Sequence, residues 1–167
     1  MIQLFLGLTI ANILAIILSI TLGYTSVGGA DKMRMWHMLS GALTLLLCIG
    51  VHCVVFTYFI ATSKWIQHAV TVKNLKPDFM TPTRSFKALA IPALLLAILS
   101  VFITAIGGAM ADNRYISIHW HHFLALAALA TNLVCATFEY RAISSNSQLI
   151  DRVLADIPPG EVESRVV

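Results

Sequence analysis

The chain has 167 residues, of which 58% are hydrophobic and only 11% are charged, and its formal net charge at pH 7 is +3. Soluble domains carry roughly 25% charged residues. This composition therefore excludes an ordinary soluble enzyme and predicts a membrane protein whose main partner is the lipid bilayer.

Four uncharged runs predict four transmembrane helices, because each run exceeds the ~20 residues that a helix needs to cross the hydrocarbon core. In chain order the runs are Met1–Ala30, Met35–Ser63, Ala88–Ala111 and Tyr115–Phe138. The first run has no basic segment before its long apolar stretch, so we expect a retained helix and not a signal peptide. The predicted fold class is an all-α membrane protein with little chain left for a domain outside the membrane.

Basic residues are distributed unequally between the predicted loops, and this asymmetry predicts the orientation in the membrane. Four spans put both termini and the central loop on one side, which holds eight basic residues: Lys64, Lys73, Lys76, Arg84, Lys87, Arg141, Arg152 and Arg165. The other side holds three: Lys32, Arg34 and Arg114. We therefore expect a plasma (inner) membrane protein with cytoplasmic termini. The net positive charge reflects this topology and does not indicate nucleic-acid binding.

The two halves of the chain resemble each other, which predicts a tandem repeat of helical hairpins. The motif "TSVGGA" at 25–30 matches "TAIGGA" at 104–109, and the pair Trp36–His37 matches Trp120–His121, 84 positions later. Successive hairpins that enter the membrane from the same side form a parallel repeat, whose pseudo-twofold axis runs along the membrane normal. The expected units are residues 1–78 and 79–158, each ending in a cytoplasmic amphipathic extension. A frayed tail is expected at residues 159–167.

His37 and His121 are the first candidate site residues, because the repeat makes them equivalent at the start of the second and fourth spans. A twofold axis would bring them face to face, which is the arrangement required of two axial ligands of a b-type haem. His119 and His122 point in other directions, since a helix turns ~100° per residue. The repeat favours His121 as the ligand, whereas helix geometry alone does not decide among the three. We expect the other two to contact haem propionates or a partner.

His52 is a further candidate, 15 residues after His37 and thus ~22 Å along the same helix. The stretch "WHMLSGALTLLLCIGVHC" at Trp36–Cys53 resembles the dihaem membrane cytochromes b, in which one helix serves an outer and an inner haem. The resemblance covers one span of four and implies a four-helix b-type cytochrome. The chain departs from the family pattern at Ala136, which occupies the position opposite His52. We therefore expect at most one bis-histidine haem per chain.

These residues predict an electron-transfer subunit that binds haem b, exchanges electrons with a quinol pool and belongs to a larger membrane complex. No catalytic constellation indicates a stand-alone enzyme. Two alternatives stay open: a cofactor-free accessory subunit of a respiratory or photosynthetic assembly, or a copper or zinc site at the outer face, since imidazole suits both metals. The ligands of such a metal site would be His37, His119, His121 and His122.

Two interpretations concern the inner part of the membrane. His52 is interpreted either as a cofactor ligand or as a neutral core histidine bonded to a backbone carbonyl. Glu139 and Asp112 are assigned to the membrane interfaces, which leaves no carboxylate in mid-membrane. Such an arrangement argues against a proton-coupled transporter.

Overall fold

A computed structural model describes residues 1–28 and 31–157, and this part of the chain forms four long helices and no strand. The helices are α1 (Ile2–Ser26), α2 (Asp31–Val72), α3 (Met80–Asp112) and α4 (Ile118–Ala155), and a short 3₁₀ helix at Pro77–Phe79 leads into α3. All four are long and apolar enough to cross a membrane. The predicted all-α fold with four candidate spans is therefore confirmed. The tail predicted at 159–167 lies outside the described residues.

Consecutive helices run antiparallel around a common centre. Each helix packs against the helices before and after it, α1 also packs against α4, and α2 and α4 meet diagonally across the centre. One end of the bundle, called the histidine end because His37 and His121 lie there, holds the α1–α2 and α3–α4 connections. The basic end holds the α2–α3 connection, the start of α1 and the end of α4.

The repeat is visible in which side chains each helix buries. Six buried residues of α2 each have a buried counterpart in α4, 84 positions later. In α2 they are Thr44, Cys48, Val51, Val55, Phe59 and Ala69, and in α4 they are Ala128, Asn132, Cys135, Glu139, Ile143 and Val153. Buried positions of α1 recur 85 residues later in α3: Phe5, Asn12 and Ile16 correspond to Ala90, Ala97 and Val101. The two hairpins therefore turn equivalent faces toward the centre.

The first glycines of the two Gly-Gly-Ala motifs, in contrast, differ in structure. Gly28 lies beyond the end of α1 with a φ of 73°, and the next two residues of that motif are outside the described range. Gly107 and Gly108 lie within α3, which continues to Asp112. The glycines that do correspond are Gly23 and Gly108, 85 residues apart.

α2 and α4 are longer than a membrane is thick. With 42 residues, α2 spans about 63 Å at 1.5 Å per residue, roughly twice the hydrocarbon thickness. Beyond the membrane-length part, Ile66 and Val70 of α2 pack with Leu149 and Val153 of α4 in one apolar cluster at the basic end. These extensions stabilise each other by burying their apolar faces, and so hold the two hairpins together at this end of the bundle.

Candidate functional site

His37 and His121 lie opposite each other at the histidine end. Their ring centres are 6.0 Å apart, and the ring planes are inclined at 65°. His37 lies in the second turn of α2, which begins at Asp31, and His121 lies in the first turn of α4, which begins at Ile118. The equivalent positions of the repeat thus bring these two imidazoles together across the centre of the bundle.

Both rings line a cavity of about 580 Å³. This volume falls in the range of roughly 300–1,000 Å³ that is typical of pockets for small molecules and cofactors. All four helices contribute to the wall, and small residues open the space: Gly23, Gly41, Gly108, Ala105, Ala125 and Ala128. Most of the exposed wall is apolar, and its polar residues include the two histidines together with Arg34 and Asp112. The cavity is therefore suited to a largely apolar ligand held by a small number of polar contacts.

Each of the two histidine rings rests against a glycine of the preceding helix. A Cβ atom added to Gly23 would lie 3.0 Å from Cε1 of His37, and one added to Gly108 would lie 3.0 Å from Cε1 of His121. The two contacts are equivalent in the repeat. Because a carbon–carbon contact is favourable at about 3.5–4.0 Å, any larger residue at either glycine would push the ring aside.

The orientation of His37 is fixed by the backbone of α1. Its Nδ1 atom lies 3.0 Å from the carbonyl oxygen of Ser19. Since a carbonyl oxygen only accepts, Nδ1 carries the proton and donates it, and the lone pair of the neutral ring is then on Nε2. Histidines that bind metals characteristically have their second nitrogen held by such an acceptor.

His121 is held in a related way but less completely. Its Nδ1 atom is buried without a hydrogen-bonding partner, although the backbone of Thr104, the counterpart of Ser19, lies beside the ring. The Thr104 hydroxyl donates to the carbonyl of Leu124 over 3.0 Å and so ties α3 to α4 directly below the ring. Nδ1 of His121 is thus held less firmly by the backbone of Thr104 than Nδ1 of His37 is by the carbonyl of Ser19.

The neighbouring histidines differ in position. His122 lines the same cavity, with its ring centre 4.7 Å from that of Tyr24 and 6.3 Å from that of His121. His119 is exposed and does not line the cavity. Of the three histidines in the "HWHH" cluster, two therefore belong to the candidate site and the third lies outside it.

His52 belongs to a different cluster, nearer the middle of the bundle. Its Nδ1 atom lies 3.1 Å from Oε1 of Glu139 and 3.2 Å from Oε2. The two side chains are only 5% and 0% exposed. His52 therefore pairs with a side chain and not with the backbone carbonyl of its core interpretation, and Glu139, which was assigned to a membrane interface, is fully buried in the core of the bundle.

The reason lies in the direction that Glu139 faces. It is the counterpart of the core residue Val55, 84 positions earlier, whereas the exposed Arg141 lies two residues further along α4 and thus ~200° around the helix. A sequence signal for this arrangement exists. Asn132, Glu139 and Asn146 recur every seven residues, which is close to two helical turns, and all three are buried.

The three polar residues of α4 all have partners on other helices. Asn132 accepts a hydrogen bond from Asn12 over 3.2 Å, and Asn146 donates to Tyr58 and Thr62, each over 3.0 Å. Because a buried polar group without a partner is unfavourable, these contacts fix which face of α4 meets α1 and α2. The same alignment positions His37 against His121.

Comparison with known protein families, curated proteins and solved structures finds no match for this chain. Within residues 1–28 and 31–157, no three histidine, cysteine, aspartate or glutamate side chains form a group that could hold a metal ion.

Proposed function

We propose that the chain is a membrane-integral electron-transfer protein that binds one b-type haem through His37 and His121. The observation that carries the proposal is the spacing of the two rings. If two imidazoles bind one metal ion from opposite sides, each metal–nitrogen bond is about 2 Å long. The centre of each ring lies about 1 Å beyond its nitrogen. The two ring centres are then about 6 Å apart. The distance between them here is 6.0 Å.

A haem fits this site better than a bare metal ion does. Zinc sites take three or four ligands from the protein, whereas haem iron needs only one or two axial ligands because the porphyrin occupies the remaining positions. The apolar cavity beside His37 and His121 suits a macrocycle, which a single ion would not fill.

The bound haem would supply one-electron redox chemistry, while the protein supplies binding, orientation and electrostatics. The Ser19 carbonyl accepts the proton of Nδ1 of His37, which leaves Nε2 as the basic atom that would bind the iron. Gly23 and Gly108 let both rings lie close to the helix backbones. Arg34, which also lines the cavity, is the positively charged group that we expect to meet a propionate, and the apolar wall excludes water.

The orientation and partners follow from the same proposal. We place the histidine end at the outer face and the basic end in the cytoplasm, on the basis of the eight-to-three distribution of basic residues. Electrons would pass between a quinol pool in the membrane and a redox partner at the outer face, within a larger membrane complex.

The orientation predicts one-sided labelling of two exposed positions. In sealed inside-out vesicles, a membrane-impermeant thiol reagent should label Asp78→Cys in the α2–α3 connection and leave Asn113→Cys in the α3–α4 connection unlabelled. Both residues are exposed. The background would carry Cys53→Ser, because Cys53 is the exposed native cysteine, whereas Cys48 and Cys135 are buried. The reverse labelling pattern would show that the orientation is inverted.

The cofactor proposal is tested by absorption spectra of the purified protein, oxidised and then reduced with dithionite, together with metal analysis. We expect a Soret band and the visible bands of a six-coordinate low-spin b-type haem, with about one iron per chain. Copper or zinc in stoichiometric amounts without haem would favour the metal-site alternative. If the protein contained neither haem nor metal, the cofactor-free accessory subunit would be the remaining hypothesis.

The glycines that support the two rings predict a graded effect. Gly23→Ala or Gly108→Ala should lower haem occupancy or shift its midpoint potential, because the added Cβ would meet the ligand ring at 3.0 Å. The matched control is Gly50→Ala, also within a helix, where a Cβ would meet nothing within 4 Å. Potentiometric titration of the three variants checks the expectation. Equal effects at Gly50 and Gly108 would contradict the role of the close contact.

A further inference from the structure

A second, smaller cavity lies at the basic end of the bundle, between α2 and α3. Its volume is about 210 Å³, and its lining residues are Ser63, Gln67, Met80, Thr83, Arg84 and Lys87. Five of these six side chains are polar, two of them are cationic and none is acidic. The cavity shares no residue with the one that His37 and His121 line.

The two cations of this cavity have no carboxylate partner among the described residues. Lys87 is half-buried, and its Nζ atom donates a hydrogen bond to Oγ of Ser63 over 3.0 Å. Neither Lys87 nor Arg84 forms an ion pair within residues 1–28 and 31–157. Two like charges lining one small cavity repel each other, and an anion between them would replace this repulsion by attraction.

The cavity lies at the boundary of the apolar part of the bundle. The uncharged run of α2 ends at Ser63, and that of α3 begins at Ala88, directly after Lys87. A side chain at this level meets the phosphate groups of the lipid and not its acyl chains.

We propose that this cavity binds the phosphate group of an anionic phospholipid. Lys87 and Arg84 are the cationic contacts. Ser63 accepts a hydrogen bond from Lys87, so its own hydroxyl proton is available for a phosphate oxygen. A volume of about 210 Å³ is below the roughly 300 Å³ at which pockets for whole small molecules begin, which fits a headgroup better than a complete ligand. Basic pockets between membrane helices on the cytoplasmic side are known to bind such headgroups.

The test measures lipid binding by native mass spectrometry of the detergent-purified full chain, with phosphatidylglycerol or phosphatidylcholine added. The parent protein should retain phosphatidylglycerol preferentially. The double variant Arg84→Gln with Lys87→Gln should weaken that binding by about tenfold or more, since it removes two charge-assisted contacts. The matched control is Lys64→Gln with Lys76→Gln, which removes the same charge from two positions outside the cavity at the same end and should bind as the parent does.

A charge-conserving variant and a simpler ligand complete the test. Arg84→Lys with Lys87→Arg conserves the charge and should retain binding, which keeps the test valid if the glutamine variant unfolds. If the Arg84/Lys87 variant and the Lys64/Lys76 control lost phosphatidylglycerol binding equally, the loss would reflect net charge alone. The proposed site would then be wrong. If the protein bound inorganic phosphate but showed no preference between the two lipids, the ligand would be free phosphate and not a phospholipid. Haem content enters none of these measurements, so the outcome is independent of the proposed function.

Discussion

Replacing His121 by alanine should abolish the low-spin haem spectrum, and replacing His37 should do the same. The two rings face each other at 6.0 Å, and under the proposed function both would hold the haem, so each variant would remove one of the two residues that hold it. Loss of an axial ligand changes both the spin state and the reduction potential. Absorption spectra of the reduced proteins and the haem-to-protein ratio provide the measurement.

The "HWHH" cluster supplies the matched controls on the same helix. His119→Ala should leave the spectrum and the midpoint potential unchanged, because His119 is exposed and lies outside the cavity. His122→Ala should retain the spectrum and shift the midpoint potential, because His122 lines the cavity beside His121. If His121→Ala keeps the low-spin spectrum while His122→Ala loses it, the fourth-span ligand is His122 and the assignment made from the repeat is wrong.

Free imidazole gives a sharper version of the same experiment. His121→Ala leaves a space next to Gly108, whose surface supported the lost ring. If the proposed function is right, imidazole added to this variant should restore part of the low-spin spectrum, because it would occupy the space that the His121 ring leaves. Imidazole added to His119→Ala should change nothing. A His121→Ala protein that binds no haem and gains none with imidazole, although it is folded, would show that His121 acts in structure and not in ligation.

Much of the fold could be predicted from the sequence because a lipid environment constrains it strongly. Every backbone polar group must be satisfied within the segment that crosses the membrane, so long uncharged runs become helices. The equivalence of His37 and His121 could be predicted for a related reason, since an internal repeat places matching residues at matching depths. Neither inference needs the details of side-chain packing.

The partner of His52 could not be found by the same reasoning. Glu139 stands two residues before Arg141, and a charged neighbour suggests an interface when only position along the chain is considered. The direction that a side chain faces depends on helix rotation, which the polar spacing of Asn132, Glu139 and Asn146 encodes more clearly than the apolar pattern does. In a membrane helix the polar residues, and not the apolar ones, mark the buried face.

The glycines illustrate a second limit. The paired Gly-Gly-Ala motifs indicated the repeat, but the glycines that contact a histidine ring of the next helix are Gly23 and Gly108. Such a contact depends on the distance between two helices, and sequence identity between motifs carries no information about it. Single glycines inside a helix could therefore be interpreted only once the neighbouring helix was in place.

The buried pair of His52 and Glu139 predicts the largest effect on stability. Removing one partner of a buried pair leaves the other unsatisfied in an apolar core, which typically destabilises a protein by about 3–5 kcal/mol. Glu139→Leu and His52→Leu should each approach this range. The loss of stability should lie near the lower end of this range, because the unfolded state in detergent or lipid still offers hydrogen-bonding partners to polar groups. Thermal unfolding followed by circular dichroism, with the same detergent for every variant, measures the difference.

The double variant His52→Leu with Glu139→Leu decides whether the pair acts as a unit. Apolar residues of similar size in place of both partners are often neutral or stabilising, so the double variant should be more stable than either single variant. Glu139→Gln is the matched control, since its amide oxygen can still accept the hydrogen bond that His52 donates from Nδ1, 3.2 Å from the present carboxylate oxygen. It should lose less stability than Glu139→Leu. Losses that simply add in the double variant would show that the two side chains do not interact energetically, and the pair would then have no part in aligning α2 with α4 beneath the two facing histidines.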